Sequence, residues 1–230
     1  MSPVTRMELM TPARTKIERY EAATISVLAV QVRGLLDAGG LCVLPTESFY
    51  GLAAAPFNEQ ALARLWRVKG RSEGKPILLL IGEQSQLAPL VQAIPPAATV
   101  LMKAFWPGPL TIIFSAAVAL PSAVTAGTGS VGIRLSACHS LVNLLRLIGP
   151  VTGTSANREG LAPPIMAEDV QANLGEEVDL IVDAGPTPGG RPSTVVDVQG
   201  PIRIVREGAI ARGVIAHELA AHGLQLEAVS

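Results

Sequence analysis

The sequence predicts an α/β fold, a twisted mixed sheet with flanking helices. Three observations carry this. Short apolar runs of strand length alternate with longer segments whose apolar residues recur at helical spacing. The runs are apolar at successive positions, the pattern of strands buried on both faces. Aromatics make up only 3% of the 230 residues while apolar residues reach 49%, so the core must be filled by Val, Leu, Ile and Ala. Closely spaced strand candidates late in the chain call for some antiparallel pairing, which makes the sheet mixed.

Taken in order, residues 1–22 have weak periodicity and read as an extension. Ile25, Leu28, Ala29, Val32, Leu35 and Leu36 share a helical face, with Thr24 placed to cap it and Gly39-Gly40 to end it. LCVLP (41–45) is a short buried strand. Asn58 precedes a helix whose Leu62, Leu65 and Trp66 fall together, and ILLLI (77–81) is a second strand. Pro95-Pro96 opens a helix carrying Val100, Leu101 and Phe105. Strands follow at LTIIF (110–114), VGIRL (131–135), DLIVD (179–183), STVVDV (193–198) and IRIVR (202–206), with a helix around Leu141, Leu144, Leu145 and Ile148. AGPTPGGRP (184–192) is a loop inside the domain. These assignments define one domain over residues 23–212 and a helical tail over 213–230.

Charge narrows the function classes. Lys and Arg total 18 against 19 Asp and Glu, a formal net charge of -1, so the chain as a whole does not attract a polyanion. Cys42 and Cys138 have apolar neighbours and no paired spacing; both read as free thiols of a reducing compartment. The amino terminus lacks the apolar core of a signal peptide and no run of about 18 apolar residues occurs, which makes cytoplasm the expected location.

Several motif matches fail on context. Gly127, Gly129 and Gly132 have dinucleotide-binding spacing but lead into a strand, where the motif needs a helix. GRSEGKP (70–76) is one residue short of a phosphate-binding loop and has Pro76 in place of the magnesium-binding hydroxyl. Ser72-x-x-Lys75 and Ser155-x-Asn157 imitate serine acyl-enzymes without the third motif. His139, His217 and His222 have no ligand spacing, so no protein-made metal site is expected.

Four segments remain, each placing polar residues beside Gly or Pro at a strand end, where α/β proteins build sites. PTESFYGL (45–52) offers the hydroxyls of Thr46, Ser48 and Tyr50. Lys69-Gly70-Arg71 with Lys75 supplies cations at a helix end, an arrangement that C-capping would also explain. SVGIRL (130–135) carries Ser130 and Arg134; with apolar neighbours on both sides, Arg134 is either partly buried or faces a pocket, and a buried arginine needs an anionic partner. GTSANREG (153–160) contributes Ser155 and Asn157, which an ordinary turn would also explain. Ser193 and Arg206 flank the two late strands. Many cations, short alcohols and almost no fixed nucleophile suit an anion or nucleotide site, because phosphoryl and nucleotidyl transfer rest on positioning and charge.

PTESFYGL, Lys69-Gly70-Arg71, WPGPLT (106–111), VGIRL, TSAN (154–157), STVVDV and VREGAI (205–210) occur in the order seen in the YrdC-like family, which the chain resembles over roughly residues 23–212. The Lys-x-Arg and Ser-x-Asn pair looks like that family's threonylcarbamoyl-AMP synthase branch. The resemblance implies a fold around a central cavity and the reaction of L-threonine, bicarbonate and ATP to threonylcarbamoyl-AMP and pyrophosphate. It also implies a downstream tRNA threonylcarbamoyl-transferase complex as partner, is compatible with weak direct tRNA binding, and involves no membrane. Mg²⁺ would be carried by the triphosphate.

Carried over motif by motif, Thr46, Ser48, Tyr50 and Ser193 would line the threonine side and Arg134 would pair with its carboxylate. Lys69, Arg71, Lys75, Ser130, Ser155, Asn157 and Arg206 would hold ATP, with Lys69 and Arg71 acting on the departing pyrophosphate. Replacing Lys69 or Arg71 is expected to cut turnover with little loss of stability. The competing expectation is a double-stranded RNA- or tRNA-binding module of the same fold without turnover, which the near-neutral charge disfavours.

Overall fold

The structure, a computed structural model, describes residues 15–70 and 76–228. In chain order the elements are β1 (Lys16–Arg19), α1 (Ile25–Asp37), β2 (Cys42–Pro45), β3 (Tyr50–Ala53), α2 (Glu59–Lys69), β4 (Leu79–Ile81), α3 (Pro96–Phe105), β5 (Leu110–Ser115), α4 (Ser122–Thr125) and β6 (Ser130–Leu135). They continue with α5 (His139–Ile148), β7 (Val151–Thr152), β8 (Thr154–Ser155), α6 (Ala167–Leu174), β9 (Leu180–Asp183), β10 (Thr194–Asp197), β11 (Arg203–Arg206) and α7 (Arg212–Ala221).

Local chemistry accounts for both ends of α2. Asn58 caps α2 as its side-chain oxygen accepts from the Ala61 N–H at 3.0 Å. The same helix stops at Gly70, whose φ of 62° only a residue without Cβ adopts at little cost. Thr24 does precede α1, yet its hydroxyl makes no capping bond there.

The α/β architecture holds, but the strands divide into two mixed sheets instead of one. The first runs β1-β9-β2-β3-β8 and the second β11-β10-β5-β6-β4-β7. The chain passes from the second to the first at Gly153, between β7 and β8. A Cβ at Gly153 would stand 2.5 Å from the Leu80 side chain, so the crossing needs glycine.

Successive residues on the inner strands serve two different cores, which is why their sequences are continuously apolar. On β2, Val43 joins one core while Cys42 and Leu44 join the other; on β4, Leu79 and Ile81 separate from Leu80 in the same way. Helices α1 and α5 cover the second of these cores through Leu28, Val32, Leu141 and Leu145.

Two sequence readings need correction. Residues 1–22 read as an extension, whereas Lys16–Arg19 form β1, paired in parallel with Leu180–Asp183 of β9; their mostly exposed side chains hid the strand. Residues 50–52 read only as part of a polar site segment, whereas Tyr50–Ala53 form β3, antiparallel to β2. At the other end α7 packs on α3, with Ile215 and Leu219 in the main core. No helix among the described residues is long and apolar enough to cross a membrane.

Candidate active site

A cavity of about 610 Å³ lies between the two sheets. The first sheet gives it the β2–β3 hairpin loop. There the Thr46 hydroxyl donates to the Phe49 carbonyl at 2.7 Å and accepts from the Ser48 and Phe49 N–H groups at 3.2 Å. These bonds fold the loop so that Thr46 and Ser48, both buried, line the cavity.

From the second sheet, Ser130, Gly132 and Arg134 face the cavity together because alternate residues of β6 share one side. Beside them stand Thr111 of β5 and Ser193 at the start of β10, whose hydroxyls bond at 2.9 Å. The pairing of β10 with β11 shifts register between Val195 and Val196, leaving Val205 without an opposite residue. That bulge lets Val205 and Arg206 both reach the cavity, where the Arg206 guanidinium donates to the Ser193 carbonyl at 2.9 Å.

Electrostatics identify the cavity's preference. Arg134 is 5% exposed, and burial lowers its pKa, opposed by the Glu47 carboxylate. Burial lowers that of Arg206 too, and the positive charge of Arg134 adds to the effect. Two guanidiniums that repel each other across one cavity favour an anion between them.

Most of the residues expected at the site meet there: Thr46, Ser48, Tyr50, Ser130, Arg134, Ser155, Ser193 and Arg206 all line the cavity. Within this group the phenol of Tyr50 is committed elsewhere, donating to the Gly185 carbonyl at 2.8 Å and to Asp183 at 3.3 Å. Lys69 and Asn157 stand outside the lining. The buried Lys69 ammonium donates to the Ser155 carbonyl at 2.7 Å and to the Asn157 carbonyl, so it pins the loop that presents Ser155. The Asn157 amide donates to the Arg158 and Leu161 carbonyls at 2.9 and 2.7 Å. Arg71 and Lys75 lie outside the described residues.

Among the polar groups that escaped the sequence reading are Glu47 and Ser136, and Thr111 and Thr154 of the lining. Glu47 is the acid of PTESFYGL, and its Oε1 lies 3.3 Å from Nη1 of Arg134. The requirement of a buried arginine for an anion was the signal that could have found it.

Comparison with known proteins narrows the reading. The profile of the Sua5/YciO/YrdC family, described as "Telomere recombination", matches residues 34–208. The chain belongs to this family. A threonylcarbamoyl-AMP synthase of Thiobacillus denitrificans is 37% identical over 164 residues, covering 71% of this chain and 87% of the relative. One from Bacillus subtilis is 36% identical over 195 residues, covering 84% of this chain and 56% of the relative. Among solved structures, Pyrococcus abyssi Sua5 complexed with L-threonine superimposes with a TM-score of 0.81 at 31% identity, covering 93% of this chain and 62% of that one. The Sua5-like fold is thus present here, while the chain spans only about three fifths of that Sua5.

Proposed function

We propose that residues 23–212, completed by β1 and α7, form the catalytic unit of an L-threonylcarbamoyladenylate synthase, a nucleotidyltransferase that converts L-threonine, bicarbonate and ATP into threonylcarbamoyl-AMP and pyrophosphate. The observation that carries this reading is the cavity itself, where hydroxyls of both sheets share one space with two guanidiniums. Short alcohols suit a small hydroxylated zwitterion, and Arg134 can take its carboxylate in the bidentate geometry a guanidinium favours. In this reading Arg206 takes phosphate oxygens, together with Ser130 and Ser155 of the same cavity lining.

In the reaction the threonine amine adds to bicarbonate with loss of water to give a carbamate. A carbamate oxygen then attacks the α-phosphorus of ATP. The bond from that phosphorus to the bridging oxygen breaks, and pyrophosphate leaves with the electron pair. Arg206 offsets charge on the leaving group, joined in this reading by Arg71 and Lys75. Lys69 and Asn157 serve it by holding the Ser155 loop. The described lining offers hydroxyls and guanidinium N–H groups but no carboxylate, a donor set that suits phosphate oxygens more than a hard cation. Mg²⁺ is therefore assigned to the triphosphate that carries it in. The product would pass to a tRNA threonylcarbamoyl-transferase complex in the cytoplasm.

Purified protein incubated with ATP, Mg²⁺, bicarbonate and L-threonine is expected to form threonylcarbamoyl-AMP and pyrophosphate in equal amounts, each dependent on L-threonine. Folded protein that forms neither would overturn the assignment.

A further inference from the structure

Glu47 lies between two cavity-lining hydroxyl residues but is itself no part of the lining. Its Oε2 accepts a hydrogen bond from the Ser136 hydroxyl, and its Oε1 sits 3.3 Å from Arg134 Nη1, the two side chains being 14% and 6% exposed. The contact supplies charge without good geometry. Glu47 Oε1 and Arg134 Nε are both buried, and neither has a hydrogen-bond partner. A guanidinium and a carboxylate match best through two parallel N–H···O bonds. Leaving buried polar atoms unpaired is costly, so this pair is a weak one that better-placed atoms can displace.

We propose that Glu47, anchored by Ser136, is the resting counter-ion of Arg134, a positioning residue that neutralises the guanidinium until an amino-acid carboxylate takes it over. The inference rests on the reading that Arg134 receives the substrate carboxylate. Two consequences follow from Coulomb's law. Glu47 stabilises the empty protein, because a buried guanidinium without an anion is strongly unfavourable. It also weakens amino-acid binding, because the incoming carboxylate must approach a like charge already in place. Glu47 thereby sets the threonine affinity below what Arg134 alone would give.

Glu47→Gln keeps the shape and the acceptor for Ser136 while removing the charge. Binding of L-threonine and of L-threoninol, which lacks the carboxylate, would be measured by calorimetry on the full chain, together with melting temperature. Glu47→Gln is expected to melt lower when empty and to bind L-threonine at least about tenfold more tightly. L-threoninol should show no gain, and the KM for L-threonine should fall while that for ATP stays. If Glu47→Gln does not fold, Glu47→Asp withdraws the charge by one methylene and should show a smaller shift in the same direction. Equal or weaker L-threonine binding in the folded variant, or an equal gain for L-threoninol, overturns the inference. Wild-type protein that binds L-threoninol as tightly as L-threonine overturns the underlying role of Arg134 as well.

Discussion

A lysine ammonium is rarely buried without several oxygens around it, and Lys69 shows how one position can support a site it does not enter. It ends α2, where a cation favours the helix dipole, and its ammonium donates to the carbonyls of Ser155 and Asn157. The expectation that its loss would cost little stability therefore changes. Lys69→Met should lose about 2–3 kcal/mol of unfolding free energy, since it deletes charged hydrogen bonds and strands two carbonyl acceptors. Turnover should fall with it, because Ser155 loses the support that aims it into the cavity. Denaturant unfolding beside an activity assay checks this; a variant as stable as wild type would mean that the loop does not depend on Lys69.

The β10–β11 hairpin carries Ser193 and Arg206, and one buried hydroxyl orders the turn beyond it. Thr194 accepts from the Gly208 and Ile210 N–H groups at 2.9 and 3.0 Å and donates to the Ile210 carbonyl at 2.7 Å. Thr194→Val keeps the shape but leaves two N–H groups without that acceptor, at a cost of about 1–3 kcal/mol. The segment holding Arg206 then loosens, so the KM for ATP should rise more than that for L-threonine; steady-state kinetics with both substrates varied reads the difference, and an unchanged ratio would refute the coupling. Elements of this kind were unevenly legible in the sequence. LCVLP, ILLLI and LTIIF announce themselves because both faces of their strands are buried. KIER does not, since β1 is an edge strand that depends on β9 for its pairing, and YGLA mixes a glycine and a phenol into a strand that follows β2 after only residues 46–49. The site was legible residue by residue, but not its pairing. Arg134 asked for an anion, yet Glu47 reaches it from the other sheet, a proximity that sequence separation conceals.

At the scale of the molecule, the inner strands β2 and β4 tie both sheets between two cores, and each core holds one protonated group that would ionise in alkaline water. Cys42 belongs to one core and Tyr50 to the other. Burial is the main cause that raises both pKa values above their ordinary 9.0 and 10.0, reinforced by Asp179 for the thiol and Asp183 for the phenol. The sign follows from proton counting. Above those ordinary values the unfolded chain releases protons that the folded chain retains, so the contribution of these two groups is fully present below pH 9.0 and is lost as pH rises through 9.0 and then 10.0. Each retained proton contributes a slope of about 1.4 kcal/mol per pH unit. Tyr50→Phe starts from a lower stability, because the Gly185 carbonyl loses its donor, but it should fall less steeply than wild type above pH 10 by the slope of one proton. Cys42→Ala should remove the earlier component. Denaturant midpoints measured from about pH 8 to pH 11 separate the two, and subtracting each variant from wild type cancels the other alkaline groups. Equal slopes in wild type and Tyr50→Phe would show that the phenol ionises without unfolding the sheet that carries the hairpin loop.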